Sequence, residues 1–133
     1  MDADFDALVE DSRDAHNRTG LQALWRTAIG LPEWYFVADQ SGDDAEPIVA
    51  AFDDKPHLLV FTDEARATAF SEARAAKRES DPTPTLSMTV AEASDYIRTM
   101  ANHVAGVLFN TGENGFAATP TAVVDAFNRY KPG

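Results

Sequence analysis

The sequence predicts an α/β domain of the α+β kind: a single mixed β-sheet of five to six strands with four to five helices packed on it. Three observations carry this. Short apolar runs rich in aromatic and β-branched residues recur between turn-forming clusters, as strands require. Longer windows with apolar residues at helical spacing open on capping residues. Helices alternate with strands only in the second half of the 133 residues, a length suited to one domain with a core of its own. That domain is read as residues 1–133, with 1–18 as an acidic helical extension.

The elements follow in order. Phe5, Leu8 and Val9 come after Asp2, Asp4 and Asp6, acidic residues that suit the first turn of a short helix. Thr19-x-x-Gln22 has the form of a capping box. Leu21, Leu24, Trp25, Ala28 and Ile29 then recur at helical spacing until Gly30 and Pro32 end the helix. Trp34–Ala38 and Ile48–Phe52 read as strands, separated by the polar loop Gln40–Pro47. Asp53-Asp54-Lys55-Pro56 is turn chemistry, which makes Ile48–Phe52 and His57–Phe61 a hairpin. The second of these is apolar at both parities, the mark of a central strand.

Thr62 is read as the cap of a helix beginning at Asp63 and Glu64 and ending near Glu79, its apolar side mostly Ala with Phe70. Two prolines make Ser80–Pro84 a loop, and Leu86–Met88 is a short strand. Thr89-x-x-Glu92 is a second capping box, opening a helix with Val90, Ala93, Ile97, Met100 and Val104 on one face. Ala105–Phe109 is a buried strand, Asn110–Gly115 a turn, and Phe116–Ala118 a short returning strand. Thr119-Pro120 is a cap followed by Pro at the first helical position, and Val123, Phe127 and Tyr130 mark the closing helix.

Charge narrows the function classes. Eleven Lys and Arg against 22 Asp and Glu leave a net charge of -11. Residues 1–64 hold 15 acidic and 4 basic groups, net -11, and residues 65–133 hold 7 of each, net 0. This balance argues against nucleic acid, whose phosphates need clustered Lys and Arg, and against anionic membranes. It nominates a basic protein as partner for the acidic half. With no cysteine, disulfides, thiolate metal sites and Cys nucleophiles are excluded. Met-Asp-Ala-Asp-Phe-Asp has no cationic start or apolar run of a signal peptide, so the expected compartment is the cytoplasm.

No residue pattern announces catalysis, a metal or a cofactor. Asp2-x-Asp4-x-Asp6 begins like a calcium loop, but Ala7 stands where that loop needs Gly and Arg13 where it needs Glu. His16, His57 and His103 have no i,i+3 or i,i+4 His or carboxylate partner of recognised metal-site form. There is no phosphate-binding Gly-rich loop before a Lys-Ser/Thr pair and no Gly-x-Ser-x-Gly elbow. Two surfaces remain. If the strands ending before Thr62 and Asn110 are parallel neighbours, then Thr62, Asp63 and Asn110 meet at the carboxyl edge of the sheet, the usual ligand crevice of open α/β sheets. The aromatic pair Trp34 and Tyr35, with the acidic residues Asp43, Asp44, Asp53 and Asp54, forms the candidate partner surface.

Four runs resemble the N-terminal domain of the SseB family, proteins named for an enhanced serine sensitivity phenotype and often found in bacteria. They are Ala23-Leu24-Trp25-Arg26, Pro32-Glu33-Trp34-Tyr35-Phe36-Val37, Leu58-Leu59-Val60-Phe61-Thr62-Asp63 and Gly106-Val107-Leu108-Phe109-Asn110. The resemblance spans about residues 20–130. The matching Asn in similar proteins is often followed by Pro-Gly, whereas Thr111-Gly112 follows Asn110 here. The resemblance implies an α/β domain with no established enzymatic activity and supplies no catalytic residues. The expected function is therefore a non-catalytic binding or regulatory module, with self-association through an edge strand or the Trp34 region open. The alternative is a small-molecule-binding or enzymatic domain using the crevice near Thr62 and Asn110.

Overall fold

The computed structural model describes residues 18–40, 42–111 and 115–131. The acidic helical extension, with Phe5, Leu8 and Val9, falls outside them, as does His16. The described elements are α1 (Arg18–Ile29), β1 (Glu33–Val37), β2 (Val49–Phe52), β3 (Lys55–Val60), α2 (Glu64–Arg78), β4 (Thr85–Thr89), α3 (Val90–Thr99), β5 (Gly106–Phe109), β6 (Phe116–Ala118) and α4 (Pro120–Tyr130). Six strands and a mixed sheet match the predicted α+β class. The strands hydrogen-bond in two groups, β1-β4 and β2-β3-β5-β6. Antiparallel bridges Tyr35–Phe61 and Ala38–Pro47 join them.

The hairpin of β2 and β3 pairs Phe52 with Lys55 across a two-residue turn. Asp53 and Asp54 both take positive φ, 57° and 63°, the backbone of a type I′ turn, whose twist suits adjacent strands. The central pairing is parallel: β3 runs beside β5 with Leu58 opposite Val107 and Val60 opposite Phe109. This pairing lets both strands bury both faces. Leu58, Val60, Val107 and Phe109 enter one core, and Leu59 and Leu108 the other.

The larger core lies under α1, α3 and α4. Trp34 is fully buried there, and its Nε1 donates to Ala28 O at 2.9 Å. That carbonyl is among the last four of α1, which lack partners inside the helix; Leu31 N also reaches it, at 3.4 Å, and the indole completes the helix end while filling the core. Phe109 meets Trp34 edge-on at 5.1 Å and stacks on Phe116 at 4.8 Å. The smaller core lies under α2, which presents Ala67, Ser71 and Ala75 to the sheet. The Ser71 hydroxyl donates to Thr83 O and the Thr83 hydroxyl to Ala38 O, both at 2.6 Å. These bonds tie α2 to the loop before β4 and to the end of β1.

Caps follow local chemistry with two differences. Thr89 and Glu92 form the reciprocal capping box of α3, and Thr119 caps α4 ahead of Pro120, both as the sequence implies. For α2, however, the N-cap is Asp63, whose Oδ1 accepts from Arg66 N at 2.7 Å. Thr62 is not the cap because its hydroxyl is committed elsewhere. Helix α1 already includes Arg18, so Thr19 stands inside it rather than at its cap. No described helix is long and apolar enough to cross a membrane.

Candidate functional site

Thr62 and Asn110 do meet at the carboxyl edge of the parallel pair. Asn110 N donates to Val60 O at 2.8 Å, continuing the β3–β5 ladder. The next bond of a parallel ladder would run from Thr62 N to the Asn110 carbonyl. Asn110 instead takes φ 51°, a left-handed conformation that Asn tolerates well. Thr62 N donates to the Asn110 side-chain oxygen at 2.9 Å, and Asn110 Nδ2 donates to Thr62 Oγ1 at 2.9 Å. The Asn amide thus stands in for a main-chain carbonyl and ends the ladder. Thr62 is 5% exposed and Asn110 3%. Their polar atoms bond each other and lock the two strand ends together.

Gly115 belongs to the same lock. A Cβ there would sit 2.9 Å from Asn110 O and 3.1 Å from Phe109 O, both backbone atoms. The returning chain passes too close to the turn for a side chain.

Beside the lock, along α2, runs an open groove. One part, of about 340 Å³, is lined by Phe61, Arg66, Phe70, Ala73, Asn110 and Thr111. The adjoining part, of about 390 Å³, shares Phe70, Ala73 and Thr111 and adds Arg74, Lys77 and Arg78. Arg66, Phe70, Ala73, Arg74, Lys77 and Arg78 stand at i, i+4, i+7, i+8, i+11 and i+12, which is one helical face. The Asp63–Arg66 ion pair, at 3.0 Å, closes one end. Among the described residues, Arg74, Lys77 and Arg78 have no carboxylate within ion-pair distance.

The sequence reading names only the Ala-rich apolar side of this helix and not its cationic face. Its signal was present: cations and one aromatic repeating every third or fourth residue, inside a segment of zero net charge.

A larger groove, about 540 Å³, lies across the molecule between α1 and α4. Trp25 and Tyr130 wall it, and Asp125 and Arg129 give it both signs of charge. Arg26 and Arg129 both lie over the Tyr130 ring, at 5.5 and 5.8 Å, so those cations already have an aromatic partner.

The candidate partner surface is divided. Trp34 is core, so its assignment to a surface is corrected: a large ring on the buried parity of β1 packs inward. Tyr35, on the opposite parity, is half-buried and donates to Glu33 Oε2 at 3.3 Å. Burial first, and then the nearby Glu33 carboxylate, raise its pKa above the ordinary tyrosine value. Asp43 and Asp44 are exposed in the loop before β2, and Asp53 and Asp54 in the turn after it. They flank β2 at its two ends rather than forming one patch.

His57 is half-buried, with Nδ1 2.9 Å from Lys55 O, and its ring would lie 2.8 Å from a Cβ at Gly106. His103 is exposed beyond α3. Among the described residues no three His, Cys, Asp or Glu side chains gather to hold a metal ion. No protein-family model matches the chain, and no curated protein matches it.

Proposed function

We propose that this chain is a non-catalytic binding module of SseB-like kind that presents the α2 groove to a protein partner. The observation that carries the reading is the groove itself. Three cations that have no ion pair among the described residues stand beside an aromatic floor in a chain of net charge -11. Interaction surfaces favour Arg and aromatic groups of this kind. The junction Phe61-Thr62-Asp63 and the strand end at Asn110, two of the runs behind the SseB resemblance, form the rigid edge beside the groove. The alternative reading, a small-molecule or enzymatic crevice at Thr62 and Asn110, needs their polar atoms turned toward a ligand, and they bond each other instead.

The test is affinity capture from lysate with wild-type protein and an Ala73→Glu variant side by side. Ala73 is exposed on the groove, so the change blocks the surface without touching the core. Partners held by the wild type and lost by the variant support the reading. Identical captures by both, or none by either, overturn it.

A second reading has one observation in its favour. Val49 is 40% exposed on the edge strand β2, between the acidic Asp43–Asp44 and Asp53–Asp54 segments. A basic segment adding to that edge would make the basic partner that the acidic half suggests. Its capture would persist in Ala73→Glu and fall steeply with salt.

A further inference from the structure

We infer that the occupant of the α2 groove is a short acidic peptide segment with an apolar anchor residue. The inference rests on the binding reading above and names the chemistry of the partner. From Arg66 to Arg78 the groove follows twelve helical steps, about 18 Å at 1.5 Å per residue. That is the reach of roughly five or six extended residues. Phe70 and Ala73 supply an apolar floor at its middle, shared by both parts of the groove. Arg74, Lys77 and Arg78 line one half with positive charge that no described carboxylate neutralises.

Helix polarity explains part of this arrangement, since cations suit the last turn of a helix. Lys77 and Arg78 occupy that turn. Arg74 stands a turn earlier, and a dipole needs no aromatic floor beside its cations.

Nucleic acid fits the same cations less well. A duplex carries one charge per ~1.7 Å, on the order of ten along this groove. Three cations on a chain of net charge -11 do not match that density. A peptide with a few carboxylates and one large apolar side chain matches both the charge and the floor.

Fluorescence anisotropy with labelled hexapeptides tests this. The probes are EDLFDE, the anchorless EDGGDE and the charge-reversed KKLFKK. EDLFDE should bind most tightly and weaken with added salt. The variant R74Q/K77Q/R78Q keeps good helix formers at exposed or half-exposed positions and should bind EDLFDE about tenfold more weakly, the effect of losing three solvent-screened charge pairs. A circular dichroism melt checks that this variant folds, and Ala73→Glu provides an independent block.

Equal affinity of wild type and the Gln variant for EDLFDE overturns the inference, as does no binding of EDLFDE by the wild type. Tighter binding of a single-stranded oligonucleotide at the same residues overturns it in favour of nucleic acid. Concentration-dependent sedimentation of the wild type, abolished in the Gln variant, overturns it in favour of a second copy. If KKLFKK binds and Ala73→Glu removes it, the acidic partner fails while the binding module stands. The lysate comparison judges the module without reference to partner charge.

Discussion

The two faces of the sheet are built differently. One is covered by three helices and filled with interlocking rings: Trp34 and Phe109 in edge contact, Phe109 stacked on Phe116, and Trp25 edge-on to both phenylalanines. The other is packed by α2 through Ala67, Ser71 and Ala75. Small residues let the helix settle close on a sheet whose side chains there are Val37, Ile48, Leu59, Phe61 and Leu108. The flank of α2, with Phe70 and its cations, then stays accessible. Large interdigitating side chains concentrate stability on the first face, and the second face leaves an open groove along α2.

The largest effect should come from the aromatic face. Trp34→Ala empties a fully buried site and leaves Ala28 O only the longer bond from Leu31 N, at 3.4 Å, so a loss of about 3–5 kcal/mol is expected in urea denaturation. A change of Phe70 to Ala, on the half-buried flank of the other face, should cost clearly less in the same measurement. Equal losses would break the contrast between the faces.

Next comes the lock between the central strands. Asn110→Ala leaves the buried Thr62 N–H and hydroxyl without their partner and places Ala at positive φ, for a loss of about 1–3 kcal/mol. Asn110→Gly relieves the backbone but not the hydrogen bonds, so it should recover only part of that loss. Full recovery would show that backbone strain, rather than the side-chain bonds, explains the choice of Asn.

Two smaller tests concern local chemistry. Thr89→Ala removes a helix cap and should cost about 1 kcal/mol in thermal or chemical unfolding. The joint change Asp53→Asn and Asp54→Gly matches the turn residues to their left-handed backbone, and should stabilise by about 1 kcal/mol.

The smallest effect concerns pH. Hydrogen bonds from the Thr89 backbone N–H first, and then its hydroxyl, hold the Glu92 carboxyl below its ordinary value of 4.5. A lowered folded pKa stabilises the fold above the unfolded value and loses that contribution as pH falls through the folded one. Glu92→Gln should therefore flatten the stability profile below pH 4.5 and leave its slope near neutrality unchanged.

Much of the fold was readable along the chain because it depends on near neighbours. Thr89 to Glu92, Thr119 to Pro120 and the turn at Asp53-Asp54 each specify an element within four residues. Both-parity apolar runs at Leu58–Phe61 and Val107–Phe109 marked central strands before their partners were known. The misreadings share one cause. Thr62 looked like a cap because Thr usually is one, but Asn110, 48 residues away, claims its hydroxyl. Trp34 looked like a surface aromatic because a five-residue strand shows its parity but not which parity faces the core. The α2 groove joins segments far apart in sequence, since the cationic helix face borders a groove only beside Phe61 and Thr111.

The uneven charge, the α+β class, the hairpin and most helix caps belong to the sequence alone, since each depends on composition or on contacts a few residues long. Tertiary structure alone decided that β3 and β5 lie side by side, that Asn110 replaces a main-chain carbonyl between them, and that one face of α2 becomes a groove. Those outcomes come from segments distant along the chain, and packing, rather than local preference, selects which of them meet.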